Sequence, residues 1–302
     1  MSRPSYLEAL DSGLLARQAT AAAAALSHCE LCPRRCGVNR RDGETGVCRT
    51  GRQAVVSSAH PHFGEEPELV GDHGSGTIFF THCSLGCRFC QNFDISHQGL
   101  GQALDHASLA AVMLELQGMG CHNINLVTPS HVIPQILAAV LIAAENGLRV
   151  PLVYNSSGYD ATASLALLDG IVDIYMPDFK FWDSGIAGIT CDAPDYPQTA
   201  RRALREMHRQ VGVLQTDGRG IARQGMIIRH LVLPEDLAGT AAVAAFIAEE
   251  LDPGAYVNVM PQYRPCGDTS VLAALNRRLK PSEFSAALTA ARQAGLTRLS
   301  GC

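Results

Sequence analysis

The sequence predicts an α/β fold on a parallel sheet, and two observations predict it. From residue 76 onward, short apolar runs of strand length alternate with longer helical stretches. The alternation also repeats about six times before the chain ends. The candidate strands are Thr77–Thr81, Asn123–Val127, Leu152–Tyr154, Ile171–Met176, Met226–Leu231 and Tyr256–Met260. The candidate helices are roughly 105–118, 131–147, 161–168, 197–211, 238–250 and 282–294. Strands that alternate with helices form βαβ units, whose crossover helices cover a parallel sheet. Six units are two short of the eight-fold barrel, so the sheet is an open barrel or doubly wound. In both cases the loops that follow the strands gather at their C-terminal ends, and chemistry is expected there.

The residues before this series read differently. Residues 6–26 are Ala-rich strong helix formers and predict a helix. Residues 28–50 are rich in Cys, Arg and Gly and carry no apolar period, so they predict a loop shaped by something other than a core. Residues 51–75 hold short strand-like pieces such as Ala54–Ser58 among turn residues. The breaker cluster Gly71-Asp72-His73-Gly74-Ser75-Gly76 divides the chain. The expected organisation is an N-terminal helix and Cys-rich metal-binding segment at 1–75, followed by a barrel domain at 76–302.

Composition narrows the class. A chain of 302 residues with 47% hydrophobic residues builds a sizeable core. A net charge of −5 lacks the basic face that phosphate backbones require, so no nucleic-acid partner is expected. The local Arg groups (Arg34, Arg35, Arg40, Arg41; Arg201, Arg202, Arg205) read as solvated faces. No apolar run reaches membrane-spanning length, and the Ala21–Leu26 run is too short for a secretory core, so no membrane partner and a cytoplasmic location are expected. Of the eleven cysteines, seven fall in two clusters before residue 91; in a reducing compartment they read as metal ligands rather than disulfides.

The sharper cluster is Thr81-His82-Cys83-Ser84-Leu85-Gly86-Cys87-Arg88-Phe89-Cys90-Gln91-Asn92, directly after the first strand. Three thiolates within eight residues can ligate three irons of a cubane cluster and leave the fourth without a protein ligand. An open position is what catalytic metal sites keep. Gly86 eases the turn that brings the sulfurs together, and Phe89 can shield the cluster or pack on an adenine ring. The competing interpretations are a zinc site completed by His82 or His97 and three cysteines that hold no metal.

Cys-x3-Cys-x2-Cys with an aromatic before the third cysteine resembles the signature of the radical S-adenosylmethionine superfamily. The resemblance implies a partial (β/α)6 barrel and a 4Fe-4S cluster held by Cys83, Cys87 and Cys90. It implies that S-adenosylmethionine chelates the open iron through its amino and carboxylate groups. Reductive cleavage then gives methionine and a 5′-deoxyadenosyl radical that abstracts hydrogen. Cys90-Gln91-Asn92 is similar to the end of the cluster loop in pyruvate formate-lyase activating enzymes. Where those carry a Gly-Gly-Glu-type motif for the cofactor's amine, this chain has Thr128-Pro129-Ser130-His131; backbone carbonyls or the Thr128 and Ser130 hydroxyls would take its place. Asn155-Ser156-Ser157-Gly158, Asp178-Phe179-Lys180, Arg229–Pro234 and Pro261-Gln262-Tyr263 resemble the later motifs of that family. The resemblance covers about residues 76–265 and is strongest to the activase-like proteins called PflX-like.

The cofactor-binding residues it implies are Phe89, Gln91, Asn92, Thr128, Ser130, Asn155, Asp178, Lys180 and Arg229. A carboxylate suits ribose hydroxyls, and a cation suits the methionine carboxylate. The implied partners are a reductant such as flavodoxin or ferredoxin and a glycyl radical enzyme. Two other readings stand beside this one: a radical enzyme that modifies another peptide or a small molecule, and a non-catalytic iron–sulfur or zinc protein.

Cys29-x2-Cys32-x3-Cys36-x11-Cys48 is a second ligand set. Four cysteines among turn residues suit a closed site, either structural zinc or a second iron–sulfur cluster, with reduced, unliganded thiols in a loop as the alternative. The segment has too few apolar residues to fold itself, and a metal would supply that stability. Of the remaining cysteines, Cys121 reads as core, Cys266 lies past the sixth strand on the functional side, and Cys191 and Cys302 carry no signal.

Overall fold

The computed structural model describes residues 3–300, and Cys302 lies outside them. The strands are β1 (Ala54–His62), β2 (Ser75–Phe80), β3 (Gln102–Leu104), β4 (Ile124–Val127), β5 (Leu152–Ser156), β6 (Ile174–Pro177), β7 (Gln215–Thr216), β8 (Ala222–Leu231), β9 (Tyr256–Met260) and β10 (Arg298–Ser300). They form one open sheet in the order β10-β9-β8-β6-β5-β4-β2-β1-β3, with β7 on the side of β8. Pairing is parallel from β2 through β10. It is antiparallel where β1 meets β2 and β3 and where β7 meets β8. The protein is therefore α/β with a mostly parallel open sheet, an arrangement compatible with a partial barrel. Because β1 pairs with β2, the sheet runs across the breaker cluster at residues 71–76.

Helices α1 (Ser5–Asp11), α2 (Leu14–Ala24), α3 (His106–Gly118), α4 (Ile133–Glu145), α5 (Ser184–Cys191), α6 (Tyr196–Val211), α7 (Thr240–Phe246) and α8 (Pro281–Gln293) flank the sheet. The single helix expected over 6–26 is two. Gly13 sits at φ +72°, a left-handed conformation that closes α1 and opens α2. The Asp105 carboxylate caps α3 by accepting the Ser108 N–H at 2.8 Å. Helix α6 buries Ala200, Ala203, Leu204, Met207 and Val211, a 3.6-residue stripe that holds it to the sheet. Among the described residues no helix is long and apolar enough to cross a membrane.

Alternation along the strands splits the core. Ile78, Leu126, Tyr154, Tyr175 and Ile228 pack with the helices. Val153, Ile174, Met176 and Ile227 gather on the other face with Leu69, from the helical turn Pro67–Val70. That second face leads upward to Asn155, Asp178 and Arg229.

The strand expected over Ile171–Met176 starts only at Ile174. Ile171 and Val172 are apolar because they pack in the core, not because they pair. Asp173 beside them is buried; its carboxylate accepts the Ser5 N–H at 2.7 Å and the Leu152 N–H at 2.9 Å, tying α1 to β5. Burial pushes its carboxyl up to about 6 despite those bonds. A folded value above the unfolded one stabilises the fold fully below about pH 3.9 and loses that contribution as pH rises through about 6. The stability gap between the protein and Asp173→Asn is therefore predicted to move in the variant's favour by up to about 3 kcal/mol between pH 4 and pH 7. Urea unfolding at the two pH values checks this, and a constant gap contradicts it.

Candidate functional site

The cysteine loop leaves β2 at Thr81, whose N–H donates to the Val55 carbonyl at 2.8 Å. The loop turns at Gly86, where φ is +67°. It closes on the turn Phe93–Ser96 through a bond from the His82 N–H to the Ile95 carbonyl at 3.0 Å. Arg34 clamps it from outside. Its guanidinium donates to the carbonyls of Ser84 at 2.9 Å, Leu85 at 3.0 Å and Cys191 at 2.7 Å. The expectation that Arg34 and Arg40 belong to solvated faces is thus corrected: Arg34 binds backbone carbonyls across two loops, and Arg40 is buried. Sequence neighbours could not reveal this, because the bonding partners lie far along the chain.

Cys83, Cys87 and Cys90 line one cavity with Asn92, Thr128, Asn155, Asp178, Lys180 and Arg229. The cavity stands at the C-terminal ends of β2, β4, β5, β6 and β8. Its polar wall is one connected network. The Arg229 guanidinium donates to Asp178 at 2.9 Å, Asn155 at 2.7 Å and Glu65 at 3.2 Å. Lys180 donates to the second Asp178 oxygen at 2.5 Å. Burial alone would raise Asp178, but Arg229 and Lys180 outweigh it and hold the carboxyl below its ordinary range. Burial would likewise lower Lys180 and Arg229, and the carboxylates reverse the sign, so both stay charged. Glu65 moves up, because its burial exceeds the pull of Arg229.

Two of the seven non-glycine residues with positive φ among the described residues lie here. His82 (φ +68°) and Thr128 (φ +61°) are both left-handed without being glycine, at a cost of about 1–3 kcal/mol each, and both line the cavity. Gly158 (φ +73°) lies so close to β6 that an added Cβ would fall on the Asp178 carbonyl oxygen.

The three cysteines reach the cavity as mutually crowded thiols. Burial, and then Cys87, push the Cys83 thiol up to about 12. Burial and the same neighbour raise Cys90. A hydrogen bond with Cys191, and then burial, raise Cys87. Crowded thiols resist ionising together, and a bound cation would favour their ionised form. Among the described residues no three His, Cys, Asp or Glu side chains are grouped to hold one metal ion.

Three of the expected cofactor residues stand away from the cavity wall. Phe89 is buried edge-on against Phe181 and Tyr263. Gln91 is exposed and its amide reaches the Gln262 carbonyl at 3.5 Å. Ser130 is buried against Tyr154 and Asp160. Cys121 packs in the core. Cys266 adjoins Gly267, which packs on the Arg88 carbonyl, so the loop after β9 lies against the cysteine loop. Cys29, Cys32, Cys36 and Cys48 surround a separate small cavity with Arg40 and His131. The ten described cysteines form no disulfide. Sequence reasoning missed Glu65, which precedes the strand series, and Cys191, which ends α5 beside Cys87.

Fold and site define an α/β protein with a mostly parallel open sheet and a thiol-lined, charge-networked cavity at the strand ends. The chain is 31% identical over 297 residues to the uncharacterized protein MJ0674 of Methanocaldococcus jannaschii, across 96% of this chain and 82% of that protein. It belongs to the same family as that archaeal protein. No family model matches the chain.

If the Asn155–Gly158 turn is pinned on Asp178, Gly158→Ala must displace it. The variant is predicted to lose more than about 1 kcal/mol in urea unfolding, since alanine is strained at positive φ even without the clash. Parent-like stability would show that the turn is free of the strand.

Proposed function

We propose that the protein is a radical S-adenosylmethionine enzyme of the partial (β/α)6 barrel type, with a 4Fe-4S cluster on Cys83, Cys87 and Cys90. The observation that carries this reading is the convergence of those three thiols and the Asn155–Asp178–Lys180–Arg229 network on one cavity at the strand ends. When bound, the cluster and S-adenosylmethionine supply reductive cleavage of the sulfonium and a 5′-deoxyadenosyl radical that abstracts hydrogen.

The chain's own residues do the positioning. Lys180 and Arg229 remain cationic and offer donors to a carboxylate. Asp178 remains ionised and offers acceptors to ribose hydroxyls. Thr128, left-handed just past β4, lines the cavity, where an amine would need acceptors. Phe79 and Phe80, on the cavity wall, exclude water from a reactive radical. The open sheet suits a polypeptide substrate entering from the side, so we extend the proposal to activation of a glycyl radical enzyme, with a flavodoxin- or ferredoxin-type protein as electron donor.

Anaerobically reconstituted protein is expected to carry a reducible four-iron cluster whose electron paramagnetic resonance spectrum changes when S-adenosylmethionine is added. Cys87→Ala should abolish both the cluster signal and the change. Asp178→Ala and Lys180→Ala should keep the iron and weaken cofactor binding roughly ten- to a hundredfold, the loss of a charged contact worth about 1.5–3 kcal/mol. A Cys87→Ala protein with the parent's spectrum, or charge variants that bind like the parent, would sink the reading.

A further inference from the structure

The four N-terminal cysteines sit in a loop that the apolar core does not hold. Apart from Cys29 itself, the buried apolar side chains of its own small cluster are Leu26 and Leu31. Yet the loop is closely ordered. The Gly37 N–H donates to the Cys29 carbonyl at 3.0 Å, the Cys29 N–H to the Val38 carbonyl at 3.0 Å, and the Arg35 N–H to the Cys32 carbonyl at 3.1 Å. The sulfur of Cys36 accepts the Val47 N–H at 3.4 Å, and a Cβ added to Gly46 would come within 2.5 Å of that sulfur. Cys29, Cys32 and Cys48 are buried.

Arg40 gives the second observation. Its side chain is 1% exposed. The guanidinium donates to the carbonyls of Gly51 at 3.0 Å and His131 at 2.7 Å, and Nη1 lies 3.8 Å from the Cys29 sulfur. Nη2 is buried with no partner, and among the described residues no carboxylate forms an ion pair with Arg40. A buried cation without an anion is strongly disfavoured. The ionisable groups that share its cavity are the four thiols and His131, and only the thiols can turn negative.

We propose that Cys29, Cys32, Cys36 and Cys48 bind a metal centre as a tetrathiolate, and that Arg40 is its buried counter-ion. Binding ionises the four thiols and releases their protons to solvent. Zinc or a 4Fe-4S cluster on four thiolates carries a net charge of about −2, so the shared chemistry is a dianionic centre that a guanidinium partly neutralises. This inference is independent of the radical reading, because its test removes the barrel cysteines.

The test uses the full chain with Cys83, Cys87 and Cys90 all changed to Ala. Elemental analysis should find stoichiometric zinc, without visible absorption, or stoichiometric iron, with it. Cys32→Ser in that background should lose the metal. Arg40→Met should keep the four ligands but release metal to a competing chelator at roughly ten- to a hundredfold lower chelator concentration. As a check that does not need a substituted loop, chelation of the unaltered protein should open residues 28–50 to trypsin while the barrel stays resistant. A folded chain without metal, or trypsin patterns identical before and after chelation, would overturn the site. Unchanged chelator competition in Arg40→Met would overturn the counter-ion.

Discussion

Arg229 joins parts of the chain that have nothing else in common. It stands on β8, bonds Asp178 at the end of β6 and Asn155 on β5, and reaches Glu65 in the segment before β2. A guanidinium this deep is tolerated only with its anions in place, and breaking such a pair from one side costs about 3–5 kcal/mol. The network therefore fixes the mutual register of three strand ends, and Lys180 is held on the remaining Asp178 oxygen. The cavity wall is stiff because its charges satisfy each other.

The cysteine loop depends on the same economy of contacts. It has little apolar mass of its own, so other segments hold its carbonyls: Arg34 from the N-terminal loop takes two of them, and Asp268, after β9, takes the Arg88 carbonyl through its N–H at 2.8 Å. Strain is accepted at His82 and Thr128 where the wall must turn inward. A parallel sheet supplies the frame, since all its strands deliver their following loops to one end. The N-terminal segment is thus part of the cavity's architecture, joined through β1 to the sheet and through Arg34 to the loop.

Much of the fold was legible because it is written in local periodicity. The six expected strands appear as β2, β4, β5, β6, β8 and β9, and helices lie between them, although the one expected over 161–168 is reduced to the short turns Thr162–Leu165 and Ala166–Leu168. What local pattern could not show was long-range. Gly13 looked like a tolerated helix glycine until its positive φ split the helix. Ile171 and Val172 resembled strand because burial by packing and burial by pairing select the same residues. Arg34 and Arg40 looked solvated because charge in a loop usually is, and their partners at Ser84, Cys191 and His131 lie some 50 to 160 residues away. The motif residues at strand ends, Asn155, Asp178, Lys180 and Arg229, were singled out in sequence and meet in space. Glu65 carried no such signal, since nothing in its own segment predicts a partner on β8.

The chemistry proposed for this cavity is reductive cleavage of S-adenosylmethionine. The most direct measurement is chromatographic: reconstituted protein, reduced with dithionite without oxygen, is incubated with S-adenosylmethionine and the products are quantified. 5′-Deoxyadenosine and methionine are expected in equal amounts, both absent without reductant. A protein whose four-iron cluster is present and reduced, yet which forms neither product, would contradict it.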